Sequence, residues 1–161
     1  MSDWKHPVHQ VVHLVKRFWW SLRARPLDGE DHLWVKSRLL DLEWDLFTQL
    51  PIADQQHHLR VARRFIGRFD AEPQREWVAA ALLHDVGKVD VGLGTLGRTF
   101  ATIWPWGRRG DGRLGRYHRH VERGAQLLRD IGSSPETVAL VGEHSDAPPA
   151  AAAALYWADN L

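Results

Sequence analysis

Apolar residues recur along this chain at helical spacing, and no convincing run alternates apolar with polar at period two, so the pattern predicts an all-α domain. Residues 8–24 carry Val8, Val11, Val12, Leu14, Val15, Phe18, Trp19, Trp20 and Leu22 with Lys16, Arg17 and Arg23 interleaved. This reads as a helix whose aromatic face packs on the domain, with a partner or membrane surface as the alternative. Pro26 closes it, and Asp28, Glu30 and Asp31 open a second helix over Glu30–Leu50. Its apolar anchors are Leu33, Trp34, Leu39, Leu40, Leu42, Trp44, Leu46, Phe47 and Leu50. Pro51 breaks that helix, and Asp54 is expected to cap a third, Gln55–Phe69. After the turn at Asp70–Pro73 comes a fourth. The later pattern predicts helices over Tyr117–Ile131, Glu136–Glu143 with Ser134 as cap, and Ala150–Asn160 behind Pro148 and Pro149.

The fourth segment differs from the others. Trp77–Leu83 is apolar almost all the way round at about 100° per residue, which describes a buried central helix and not a one-faced surface helix. His84 and Asp85 then stand at its C-terminal end, where a bare carboxylate faces the negative end of the helix dipole and a large desolvation cost. A bound cation removes that objection. Gly87 can end the helix, and Lys88 adds a positive charge at the same place. The third helix carries the pair His57-His58. Against the apolar arc of Val61, Ala62, Phe65, Ile66 and Phe69, His58 falls near the middle and His57 at the edge. Pattern favours His58 as the inward residue, while a ligand at the rim of a core would favour His57.

Composition narrows the class. The chain has 161 residues, 44% apolar and 25% charged, which suits one soluble domain with a substantial core. Lys+Arg 21 against Asp+Glu 20 leaves a net charge of +1, so the overall balance calls neither for sequence-specific nucleic acid nor for an acidic membrane. Cysteine is absent, which excludes disulfides, thiolate metal sites and cysteine nucleophiles and fits a cytoplasmic protein. No apolar run approaches the length of a transmembrane segment. Gly92, Gly94 and Gly97 spell G-x-G-x-x-G, but a helix precedes them where a dinucleotide fold needs a strand, so they read as a loop. From Arg98 to Arg123 the chain is rich in arginine around Trp104 and Trp106, which suits either a solvated loop or a lid over an anionic, nucleotide-like substrate.

The scattered histidines and aspartates form an ordered set. His57-His-Leu-Arg-Val-Ala62, Leu82-Leu-His-Asp-Val-Gly-Lys88, His120-Val-Glu-Arg-Gly-Ala125, Val141-Gly-Glu-His144 and Ala158-Asp-Asn160 together resemble the motifs of the HD-domain metal-dependent phosphohydrolase superfamily. The resemblance implies a compact HD-type helical bundle of about six to eight helices in one structural domain, with 53–161 as its metal-binding part and 1–52 as an N-terminal helical extension packing on that core. Its register selects His57 over His58. Carried over residue by residue, it implies His57, His84, Asp85 and Asp159 around a first metal and His120 with His144 at a second. The cofactor is then one or two divalent transition metals, of Mn, Fe, Co, Ni or Zn. His6, His9, His13, His32 and His118 match no motif.

The implied activity is hydrolysis of a phosphoester or phosphoanhydride of a small nucleotide-like substrate by metal-activated water. Asp85 and Lys88 are the expected catalytic residues, and Lys88, Arg98, Arg113 and Arg116 the expected substrate-binding ones. The alternative is a non-catalytic HD module that binds a nucleotide or a protein partner. A homodimer is compatible with either reading. Ser145 follows His144 where members that cleave cyclic dinucleotides have a second histidine, and Val86-Gly87-Lys88-Val89 lacks the Glu-Asp pair of guanosine tetraphosphate hydrolases. Both departures argue against those substrates.

Overall fold

In the computed structural model the described residues are 25–88 and 113–161, with side chains from His120 onward in the second stretch. The expected helix of residues 8–24 and the Gly92–Gly97 loop lie outside them. The described residues form seven α-helices and no strand: α1 Gly29–Arg38, α2 Asp41–Thr48, α3 Ile52–Ile66, α4 Arg75–Leu83, α5 Arg113–Asp130, α6 Pro135–Val141 and α7 Pro149–Asp159. A single 3₁₀ turn, Val86–Lys88, follows α4. None of these helices is long and apolar enough to cross a membrane.

α4 is the axis of the bundle. Every residue from Val78 to Leu83 is fully buried, as an all-round apolar helix must be. α3 and α6 pack along it, and α1 and α2 also rest on it. Ala79, Ala80 and Ala81 keep the axis thin, and Phe47, Phe65 and Leu128 fill the space around it. α7 lies against α3, and α5 packs on both α6 and the 3₁₀ turn. The polar group that ties α6 down is Thr137, fully buried, whose hydroxyl donates to the Glu76 carbonyl at 3.0 Å. At the start of α6, Ser134 caps as the sequence predicts, its Oγ accepting from the Thr137 N–H at 3.1 Å.

Two expectations need correction. The helix foreseen over Glu30–Leu50 is two helices, because Leu39 and Leu40 are extended. The break is held by Glu43: its buried carboxylate accepts the Leu40 N–H at 2.9 Å and pairs with Arg75 at 3.3 Å. That partner lies in α4, beyond the reach of a local pattern. Of the expected anchors, Leu33, Leu40 and Leu42 point to solvent. The third helix starts at Ile52 and not at Gln55, with Pro51 as its N-cap residue, so Asp54 sits in its first turn and caps nothing. Proline favours this because its fixed φ suits a helix start and its missing N–H is no loss there.

Candidate metal centre

The C-terminal end of α4 is where three other segments meet. His84 is the C-cap residue, and its Nδ1 lies 2.9 Å from the Ala81 carbonyl. A carbonyl only accepts, so Nδ1 carries the hydrogen and, in the neutral ring, Nε2 carries the lone pair. His58 is treated the same way: its Nδ1 donates to the Leu82 carbonyl at 2.8 Å, with the ring 1% exposed. The last turn of α4 thus sets the tautomer of two imidazoles, a support that metal-binding histidines commonly have.

Asp159, at the end of α7, completes the arrangement. Its Oδ1 lies 3.2 Å from His57 Nε2 and 3.3 Å from His84 Nε2. His57, His84 and Asp159 each offer one ligand atom within 4.8 Å of the others, and so do His58, His84 and Asp85. The two groups share His84. Its Nε2 is buried and makes no hydrogen bond of acceptable geometry, although Asp159 and, at 3.7 Å, Asp85 are close. A buried nitrogen that faces two carboxylates without a proper partner calls for a cation. Two imidazole nitrogens and a carboxylate oxygen are the donor set of a divalent transition metal, so the residues fit such an ion.

Electrostatics agree with this geometry. The hydrogen bond from His57, and then the His84 ring beside it, hold the Asp159 carboxyl well below the usual carboxylate range, against the effect of burial. For His84, burial opposes the charged ring, but Asp159 and Asp85 outweigh it and raise its pKa. The raised value describes a proton at the place where the geometry leaves Nε2 unpartnered, and a metal ion meets the same demand without one. His58 is pushed well below the ordinary imidazole range by burial and then by His84, so it stays neutral.

Lys88 Nζ lies 2.6 Å from Asp85 Oδ2, so the two expected catalytic residues form an ion pair beside this group. Both line a cavity of about 410 Å³, within the range of small-ligand pockets. His120 reaches it from α5 through a close backbone crossing. A Cβ at Gly87 would lie 2.6 Å from Gly124 N and closer still to the His120 carbonyl oxygen. Gly87 is therefore needed for contact with α5, since α4 has already ended at Leu83.

His144 lines the same cavity from the turn after α6. There His144 N–H bonds to the Ala139 carbonyl and Glu143 N–H to the Leu140 carbonyl, the double closure of a Schellman end. Glycine normally holds the left-handed position of that motif, yet here Glu143 does, at φ 52°. Gly142 stands one residue earlier because a Cβ there would lie 2.6 Å from His144 Cδ2. Among the described residues, neither His120 nor His144 joins a three-residue ligand group.

Of the remaining expected substrate contacts, Arg98 lies outside the described residues. Arg113 and Arg116 open α5, but their side chains also fall outside. Sequence reasoning set His58 aside once a register favoured His57, although the apolar arc already marked it as the inward residue. It did not single out Arg129, whose Nη2 lies 3.3 Å from His144 Nε2, nor Tyr156, which forms part of the cavity wall. Spacing carries no signal for either contact.

No curated protein and no solved structure matches this chain significantly. The HD domain family does, over residues 55–161, a span that contains every one of the implied ligands from His57 to Asp159. With that match over most of its length and an all-helical fold, the chain belongs to the HD-domain family, in keeping with the metal-dependent phosphohydrolase superfamily.

Proposed function

We propose that the protein is a metal-dependent phosphohydrolase that cleaves a phosphoester or phosphoanhydride of a small nucleotide-like compound. The observation that carries this reading is the buried, unpartnered Nε2 of His84 beside Asp159 and Asp85. His57, His84 and Asp159 would hold the ion, and Asp85 would complete the set or orient the attacking water. When bound, such an ion lowers the pKa of water and neutralises phosphoryl charge. Lys88 supplies a positive charge at the cavity wall for phosphoryl oxygens, once its pairing with Asp85 loosens. Leu155 and Tyr156, on the same helix as Asp159, also line the cavity. Tyr156 precedes Asp159 by three residues, about 4.5 Å along the helix axis. That spacing suits a phosphoryl group at Asp159 and a flat, weakly polar leaving group against the Tyr156 ring. A chain without cysteine is at home in the reducing cytoplasm, where small nucleotides are abundant.

The test is elemental analysis of the purified protein together with turnover on a panel of nucleotides and model phosphoesters. Asp159→Asn should lose both bound metal and hydrolysis, with the fold intact by circular dichroism. A protein that takes up no transition metal defeats the proposal. One that binds metal but hydrolyses nothing on the panel is instead a binding module.

A further inference from the structure

We infer that His144 is a hydrogen-bond donor to a phosphate oxygen and not a ligand of a second metal, and that Arg129 sets this role. The inference rests on the phosphohydrolase reading above, since it assigns the phosphate side of the same cavity. Arg129 Nη2 lies 3.3 Å from His144 Nε2. A guanidinium has no acceptor, so the arginine donates and Nε2 spends its lone pair on it. In the neutral ring the proton then sits on Nδ1. His144 is left with an N–H to offer, which matches a phosphate oxygen. A metal requires a lone pair.

The packing points the same way. The Cδ2–Nε2 edge of the ring lies against Gly142, so close that a Cβ there would stand 2.6 Å from Cδ2 and nearer still to Nε2. This edge therefore faces its own helix end and α5. Arg129 is itself held on α5: its Nη1 donates to Gln126 Oε1 at 2.9 Å and reaches Glu122 Oε1 at 3.5 Å. Gln126 in turn donates to Asp130 Oδ1 at 2.8 Å. A guanidinium fixed beside Nε2 also repels a divalent ion at that atom. His144 and Lys88 line one cavity, so a phosphoryl group there would have an N–H donor and an ammonium available. The centre is then mononuclear, with His57, His84 and Asp159 as its core.

The experiment uses the full chain, stripped of metal and titrated with Mn²⁺ alone, then with inorganic phosphate in the presence of one equivalent of Mn²⁺. Wild type, His144→Ala and Arg129→Leu should each bind one Mn²⁺ per chain. Phosphate affinity should fall about tenfold in His144→Ala, the worth of one charge-assisted hydrogen bond. His144→Gln keeps an N–H donor and should recover most of that loss. Nitrogen-15 spectra should find the His144 proton on Nδ1 in wild type and redistributed in Arg129→Leu. Two Mn²⁺ per wild-type chain, falling to one in His144→Ala, would overturn the inference, as would unchanged phosphate affinity in that variant. Absence of any Mn²⁺ binding defeats the phosphohydrolase reading instead, while the nitrogen-15 spectra still decide the tautomer of His144.

Discussion

Gly87→Ala is the sharpest probe of how the cavity is assembled. The added Cβ would sit 3.0 Å from the His120 carbonyl carbon, 2.6 Å from Gly124 N, and closer still to the His120 oxygen. Ordinary carbon-to-oxygen contacts are no shorter than about 3.3 Å, so α5 must move away by well over 1 Å. Both surfaces are backbone and no side-chain rotamer can absorb the strain. Overpacking of a core costs about 1–3 kcal/mol, and a backbone-on-backbone clash belongs at the upper end. For a domain of this size about 3 kcal/mol corresponds to a fall in Tm of roughly 6–12 °C. Thermal melts and urea titrations followed by far-ultraviolet circular dichroism measure it. Gly132→Ala is the control: Gly132 has φ 78° and nothing within 4 Å of a new Cβ, so it reports left-handed backbone strain alone, about 1–2 kcal/mol. If Gly87→Ala melts within about 2 °C of wild type, or costs less than Gly132→Ala, the crossing of the 3₁₀ turn and α5 does not bear the role assigned to it. Because Lys88 follows Gly87, the same strain displaces the ammonium assigned to the phosphoryl oxygens, and under the proposed function hydrolysis should fall about a hundredfold even in the folded fraction.

Two further outcomes follow from the site's strain and charge. Glu143→Gly puts at the left-handed Schellman position the residue it prefers and should be more stable than Glu143→Ala, which lacks the same side chain, by about 1 kcal/mol; equal melting temperatures for the two would contradict the strain assigned to φ 52°. His58 is neutral when folded because of burial and then His84, whereas the unfolded chain takes up its proton near pH ~6.5. The unfolded state therefore binds more protons on the acid side, and the metal-free protein should lose up to about 1.4 kcal/mol per pH unit below ~6.5 through this group. His84 has the opposite sign, its raised pKa contributing stability below ~6.5 that is lost as pH rises through the folded value. In His58→Gln an amide N–H can still meet the Leu82 carbonyl, so this substitution should flatten the acid limb; urea midpoints at about pH 5 and about pH 6.5 with a slope equal to wild type would refute the account.

How far the sequence could be read depended on whether the information was local. Ser134 is a local signal, a hydroxyl three residues before the N–H it accepts, and it was legible. So was α4, since a helix that is apolar on every side has only one stable environment. The division of Glu30–Leu50 was not, because it depends on Glu43 meeting an arginine of α4. Gly87 was legible as a residue without a side chain, but what it makes room for is the backbone of His120 and Gly124, more than thirty positions further on.

By itself the sequence determined that the described residues are helical and that the segment ending at Leu83 is buried. It also determined that the order and spacing of His57, His84, Asp85, His120, His144 and Asp159 resemble one family, because periodicity and motif register are properties of neighbours along the chain. Only the tertiary structure decided which nitrogen of His58 and of His144 is available. For His58 and His144 that depends on a carbonyl and a guanidinium brought in from other helices, Leu82 and Arg129, whereas His84 takes its carbonyl, Ala81, from the turn just before it. A histidine can be counted from its position, but its tautomer is set by the partner packed against it. That partner decides whether the ring offers a lone pair to a metal or a proton to an anion.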